Sequence, residues 1–302
     1  MADMTVTKKK ASNLIMGFII VLSATHACAR VSILSSIKPL SLIVQEIVGS
    51  SADVDTLLPV SASPHDYPLK VSDYARLQKA DLVVWIGPEL ESFLQKPIAN
   101  LPAAKTVAAY DLAGLNWPVD SHGDHESNHH HERDPHLWLD PRNAIVVAQA
   151  VSEKLVQIDP ANANVYRANM QTFATNMKSL DEKLTKQLKP LAGHGFAVYH
   201  EGYGHFISHY ELHQINFVTF TPEQRPGAKH LQQLREDLAK NGECIFMEPY
   251  YELQSVRDLA QELKLRLGVL DALGTQNTQN YTQLLEHMAS AFSACLTNRR
   301  VE

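Results

Sequence analysis

Seven apolar side chains, Tyr166, Met170, Phe173, Met177, Leu180, Leu184 and Leu188, recur at spacings of three and four between Pro160 and Pro190. That spacing predicts one amphipathic helix, with Asp159 as its cap, Pro160 in its first turn and Pro190 as its end. About 28 residues at 1.5 Å each make a rod of roughly 42 Å, longer than an ordinary domain helix. A coiled-coil strand has the same periodicity. Here, however, the helix interrupts a strand–helix alternation, and the simpler reading is a strut joining two lobes and limiting motion between them.

The alternation is visible on both sides. Before the strut, strands are predicted over 31–35, 53–58, 82–86 and 106–109, with helices over 39–48, 71–79, 89–96 and 141–156. Leu82-Val-Val-Trp-Ile86 is apolar throughout, as a strand covered on both faces must be. After the strut, strands fall at 196–199, 215–220, 244–247 and 266–270, with helices near 203–210, 229–241, 253–265 and 281–296. The fold class is α/β, with two lobes, each a parallel sheet with helices on both faces, joined by one long helix. The lobes are assigned to residues 30–158 and 191–302, the helix to 159–190. Only the architecture repeats; the two halves share no visible sequence repeat.

Lys8-Lys-Lys10, the apolar run from Leu14 to Leu22 and the small-residue ending Ala27-Cys28-Ala29 read as a secretory signal peptide, residues 1–29. The run is too short to span a membrane. Thr25-His26-Ala27 is a poor context for lipid attachment at Cys28. Cleavage removes three Lys and one Asp, taking the formal charge from −6 to −8. An acidic chain without a basic run argues against nucleic acid or anionic membrane surfaces as partners. Composition, 45% hydrophobic and 20% charged, is that of an ordinary soluble globular protein.

Two cysteines remain, Cys244 and Cys295. An isolated pair in an oxidising compartment is expected to be bridged. Closing a loop of roughly 50 residues stabilises by about 4 kcal/mol on chain-entropy grounds. Metal binding by both thiolates is the alternative, but neither has the close Cys or His spacing of a zinc knuckle.

The histidines are of two kinds. His122, His125, His129, His130 and His131 lie in an acidic, polar stretch, 121–133, with too little apolar surface to offset the entropy of ordering it. Such a loop binds metal loosely and variably. His136 instead stands between Asp134-Pro135 and Asp140-Pro141 and is followed by Leu137-Trp-Leu139, so its backbone is fixed. A lone fixed histidine is more often a packed core residue than a ligand. Its partners give it weight: His65, His200 and Asp271 each follow a predicted strand, where open parallel sheets collect ligands. Three neutral imidazoles with a carboxylate or water form a zinc shell. Manganese fits that set less well, and calcium and magnesium call for more oxygen. Glu248, after its strand, reads as a strand-end cap or as a partner orienting a ligand.

Ser63-Pro-His-Asp-Tyr-Pro68, Ala80-Asp-Leu-Val-Val-Trp-Ile-Gly87, His136-Leu-Trp-Leu139, Tyr199-His-Glu-Gly-Tyr-Gly204, Arg225-Pro-Gly-Ala228 and Leu270-Asp-Ala-Leu-Gly274 occur in order across both lobes. Together they resemble the zinc-specific solute-binding proteins of ABC importers, the ZnuA type, over essentially the whole mature chain. The resemblance implies that His65, His136 and His200 hold Zn2+ in an inter-lobe cleft and that Cys244 pairs with Cys295. It also implies a periplasmic, monomeric receptor that delivers zinc to a membrane permease. Asp271 is then either the fourth ligand or a partner orienting His200 or His65. Three positions depart from the pattern. Pro64 stands where some relatives carry a glutamate, Glu201 where aspartate is usual, and Ala272 where proline is usual.

Two rival functions use the same residues. An open three-histidine site also activates water in zinc hydrolases, but the chain lacks the metalloprotease helix motif and an obvious paired general base. A manganese-binding relative is the other.

Overall fold

The computed structural model describes residues 1–2, 30–118, 133–251 and 254–297. The body of the signal-peptide segment and the loop histidines His122, His125, His129, His130 and His131 lie outside the described residues. The first lobe runs β1 (Ser32–Ser35), α1 (Lys38–Val48), β2 (Asp53–Thr56), α2 (Val71–Lys79), β3 (Leu82–Trp85), α3 (Gln95–Ala99) and β4 (Thr106–Ala108). Its strands pair in parallel, in the order β2-β1-β3-β4. Because crossovers between parallel strands are right-handed, the reversal after β2 puts α1 and α2 on opposite faces. Every residue of β3 is buried, as its apolar run requires. Edge strand β2 instead exposes Asp53 and Asp55, charges that discourage pairing with another chain.

One expected helix is displaced. Residues 89–96 do not form a single helix; a 3-10 turn, Ser92–Leu94, leads into α3. The Glu91 carboxylate turns back to accept the backbone N–H of Ile86 at 2.7 Å, so these residues close off β3 rather than opening a helix. Burial pushes the Glu91 carboxyl up to about 7.

Next come α4 (Pro141–Ile158) and α5 (Ala163–Leu188). Asp140 caps α4 by accepting the Arg142 N–H at 2.8 Å, with Pro141 in the first turn. All seven apolar residues of the predicted seam of α5 are buried, and its 26 residues span about 39 Å. Its start differs in detail. Pro160–Asn162 forms a 3-10 turn ahead of the helix, and the Asp159 carboxylate accepts from Tyr166 Oη and Asn162 Nδ2, both at 2.7 Å, as well as from backbone N–H groups of that turn.

The second lobe comprises β5 (Gly195–His200), α6 (Gly204–His209), β6 (Gln214–Thr219), α7 (Ala228–Asn241), β7 (Gly242–Met247), α8 (Gln254–Glu262), β8 (Arg266–Val269) and α9 (Tyr281–Thr297). Its parallel order, β6-β5-β7-β8, repeats that of the first lobe. Along β5, Phe196 and Val198 enter the main core, while Ala197 and Tyr199 face a smaller one under α7 and α8. The main core continues through both lobes. Helix α5 packs on α1 and α4 of the first and on α9 of the second, so one face of the strut is covered along its length.

Polar contacts reinforce that junction. Trp138 Nε1 donates to the Ala272 carbonyl at 2.7 Å, the Tyr281 hydroxyl donates to the Trp138 carbonyl, and the Tyr281 N–H reaches Glu46 Oε1 at 3.3 Å. Cys244 on β7 is bonded to Cys295 on α9, 51 residues later. Replacing both with serine is expected to cost about 4 kcal/mol. Equilibrium denaturation checks this, and an unchanged midpoint would contradict it.

Candidate metal centre

The second sheet reverses its strand order between β5 and β7, and the crevice at such a switch point is where open α/β sheets bind ligands. His200 is the last residue of β5, and Glu248 is the first after β7. His65 comes from the loop between β2 and α2, where the Ser63 hydroxyl accepts its backbone N–H at 3.2 Å. His136 precedes the 3-10 turn Leu137–Leu139 that leads into α4. Four stretches far apart in sequence thus meet at one point.

The three imidazoles offer one nitrogen each within 4.8 Å of one another. His136 Nε2 lies 3.3 Å from His65 Nε2 and 3.2 Å from His200 Nε2. Nitrogens bound tetrahedrally to zinc at about 2.0–2.1 Å are separated by about 3.3–3.4 Å. The observed spacing matches the edge of that tetrahedron. His136 and His200 are buried, with 3% and 4% of their surfaces exposed, so solvent does not dictate where they point.

Carboxylates set the rings. Asp134 Oδ1 accepts from the His136 backbone N–H at 2.9 Å and from its Nδ1 at 2.7 Å. Burial alone would raise the Asp134 carboxyl, but the His136 contacts and the nearby His205 hold it well below the usual carboxylate range. It is therefore an anion that can only accept, which leaves the proton of His136 on Nδ1 and the lone pair on Nε2. Glu248 accepts from His200 Nδ1 in the same way. Both outward lone pairs converge on one spot, an arrangement that a cation satisfies.

Space for these contacts depends on two glycines. A Cβ at Gly202 would sit 2.1 Å from His200 Nε2, and one at Gly204 would sit 2.8 Å from Asp134 Oδ2. The motif Gly202-Tyr-Gly204 keeps room for the His200 ring and for the carboxylate that holds His136. Tyr203, between them, is fully buried with its ring 5.6 Å from that of His200, and its hydroxyl reaches the Leu270 carbonyl at 3.4 Å.

Asp271 lines the same cavity but does not join the three-imidazole group. Its Oδ1 accepts the backbone N–H groups of Leu273 at 3.1 Å and Gly274 at 2.8 Å. Burial raises its carboxyl despite these bonds. Of the two readings of Glu248, strand-end cap or orienting partner, its contact with His200 Nδ1 favours the second, a role also considered for Asp271. Asp134 was missed as an orienting group, although its place two residues before His136 was the available signal. For Glu248 the signal was its place after a strand, which did not say which histidine, 48 residues away, it would meet.

Titration differs among the rings. Burial, reinforced by the neighbouring imidazoles, drives His65 down to about 2. Burial also lowers His136, against the pull of Asp134. For His200 burial is again the largest single cause and acts downward, but the Glu248 carboxylate, together with Asp134 and Glu201, outweighs it and the net shift is upward. Glu201, beside His200 in sequence, is pushed up to about 7 by burial and by Asp134, and accepts from Gln214 Nε2 at 2.9 Å.

Two parallel α/β sheets bridged by one long helix, with three imidazoles converging between them, define a two-lobed binding protein with a cleft suited to a cation. The chain belongs to the family described as zinc-uptake complex component A periplasmic, ZnuA, which it matches over residues 33–295. The high-affinity zinc uptake system protein ZnuA of Yersinia pestis is 32% identical over 292 residues, covering 89% of this chain and 92% of that one. Its counterpart from Haemophilus ducreyi is 34% identical over 292 residues, covering 89% and 94%. A crystal structure of ZnuA aligns with a TM-score of 0.76 at 26% identity, over 89% of this chain and all (100%) of that one. A zinc-bound deletion mutant of ZnuA gives 0.76 at 25% identity, over 90% and 100%.

Proposed function

We propose that this chain is the capture component of a zinc importer, taking Zn2+ into the cleft and delivering it to an ABC-transporter permease. His65, His136 and His200 bind the ion through Nε2, with Asp271 or a water as the fourth ligand. The protein works as a periplasmic monomer after loss of residues 1–29, and it binds zinc without chemical turnover. Among the described residues, no helix is long and apolar enough to cross a membrane. The observation that carries this reading is the 3.2 and 3.3 Å spacing of the imidazole nitrogens, each outer ring nitrogen of His136 and His200 being tied to a carboxylate. Three nitrogens suit zinc better than manganese, which takes more oxygen.

Calorimetric titration of the chain from residue 30, with a chelator as competitor, tests the proposal. One tight zinc site per chain is expected. No tight site, or manganese held as tightly, would overturn it.

Proton competition gives a further expectation. His65 and His136 stay neutral across the physiological range, whereas His200 gains its proton first as pH falls, because Glu248 raises its pKa. Zinc affinity is therefore expected to be flat in mild alkali. It should then fall with about one proton displaced per zinc, beginning above the ordinary imidazole value of about 6.5. Glu248→Gln removes the largest upward contribution and should move that onset to lower pH. An onset unchanged in this variant would count against the assignment.

His122, His125, His129, His130 and His131 bind additional zinc weakly and raise its concentration near the cleft. Deleting 121–133 is expected to preserve the tight site and reduce the number of weak ones in the same titration. Loss of tight binding would contradict an auxiliary role.

A further inference from the structure

His205 lies on α6, five residues after His200, with 2% of its surface exposed. The direction of each of its hydrogen bonds is determined by its neighbours. Asn143 Oδ1 accepts the backbone N–H of Asn116 at 2.7 Å, so the other side of that amide is the donor. Asn143 Nδ2 gives one proton to the Asn116 carbonyl at 2.9 Å and the other to His205 Nδ1 at 3.2 Å. A neutral imidazole whose Nδ1 accepts must carry its proton on Nε2. That proton is donated to the backbone carbonyl of Asp134 at 2.9 Å.

The bonds form a continuous chain. Asn116 holds Asn143, Asn143 holds His205, His205 holds the Asp134 backbone, and the Asp134 carboxylate holds His136. Every member except His205 belongs to the first half of the polypeptide. His205 is carried by the same short segment as His200, so one stretch of the second lobe supplies one imidazole of the centre and controls the mounting of another. There is little slack in the mounting. The Trp117 ring packs 5.6 Å from that of His205, and Asp134 fits against the bare backbone of Gly204.

We propose that His205 is a positioning residue of the metal centre, an inter-lobe hydrogen bond that places Asp134 and, through it, sets the angle at which His136 meets His200. The inference rests on the reading of the three histidines as a zinc site. Its chemistry is a donor at the His205 Nε2 position and an acceptor at the Nδ1 position, a pair that a glutamine amide can reproduce. Phenylalanine keeps the ring volume without either group, and asparagine is too short to span the gap.

The test compares H205F, H205N and H205Q with the unaltered chain and with His136→Ala. Zinc affinity is read by chelator competition, coordination by the visible spectrum of the cobalt(II) form, and folding by thermal unfolding without metal. H205F and H205N are expected to bind zinc about tenfold more weakly with altered cobalt bands, the size typical of residues that orient a ligand. H205Q should stay within about threefold of the unaltered chain, below that range. A merely structural histidine would lower thermal stability and leave affinity and spectrum unchanged, and that result in H205N would overturn the proposal. Equal losses in H205N and H205Q would also overturn it, because the hydrogen bonds would then not matter. If H205F does not fold, the asparagine–glutamine comparison decides. Failure of the unaltered chain to bind zinc, or unimpaired binding by His136→Ala, would instead remove the zinc-site reading and the proposal with it.

Discussion

Replacing His136 with alanine is expected to weaken zinc binding by about ten-thousandfold, roughly 5.5 kcal/mol. The size follows from its place at the middle of the group. Its Nε2 is the one found 3.2–3.3 Å from both other rings, and its backbone and Nδ1 are both held by Asp134. Removing it deletes one of the three proposed ligands and leaves the Asp134 carboxylate facing an empty pocket. His65→Ala should cost less, because that ring comes from a loop and is only partly buried. Asp271→Ala should cost least, since its Oδ1 is already engaged by two backbone N–H groups. Chelator-competition titration of the three variants checks the order. A loss below tenfold for His136→Ala would contradict the centre described above. A loss at Asp271 equal to that at His136 would make the carboxylate a full ligand and exclude water from that place.

Trp138→Ala is expected to destabilise the metal-free protein by about 5 kcal/mol, the upper end for a buried aromatic. The side chain has none of its surface exposed and lies where the lobes join. Its truncation would leave a cavity and also orphan the Ala272 carbonyl, which now accepts the indole N–H at 2.7 Å. The indole also packs 5.2 Å from the His136 ring, so metal affinity should fall along with stability. Trp138→Phe keeps most of the volume and loses the donor, which should cost about 1–3 kcal/mol for the unmet carbonyl. Equilibrium unfolding of both variants separates packing from hydrogen bonding. Equal losses would assign the whole effect to the carbonyl, and a loss under about 2 kcal/mol for Trp138→Ala would show that the site collapses readily.

Much of the architecture could be read from patterns a few residues long. The unbroken apolar run of β3 and the seam of α5 depend on strand and helix geometry, whose periods leave a direct trace in residue order. The helix expected over 89–96 failed because Glu91 found a backbone partner at Ile86, and local propensity does not register a side chain that doubles back. At the site, His136 announced itself through its two Asp-Pro flanks. His65, His200 and Asp271 were found by their place after strands, which says where a residue can gather but not which atoms will touch. That is why position alone places both Asp271 and Glu248 near the histidines without saying which of them touches an imidazole.

By itself, the residue order determined the two α/β lobes, the helix between them, the disulfide pair and the three imidazoles, because each depends on local periodicity, a residue type or position relative to a strand. Only the tertiary structure decided how those imidazoles are aimed. Asp134 with His136, Glu248 with His200, and His205 with the Asp134 carbonyl are contacts whose direction depends on angles accumulated over whole elements. The continuous core along α5 also emerged only on folding, since an apolar stripe specifies that it will be covered but not by which surfaces.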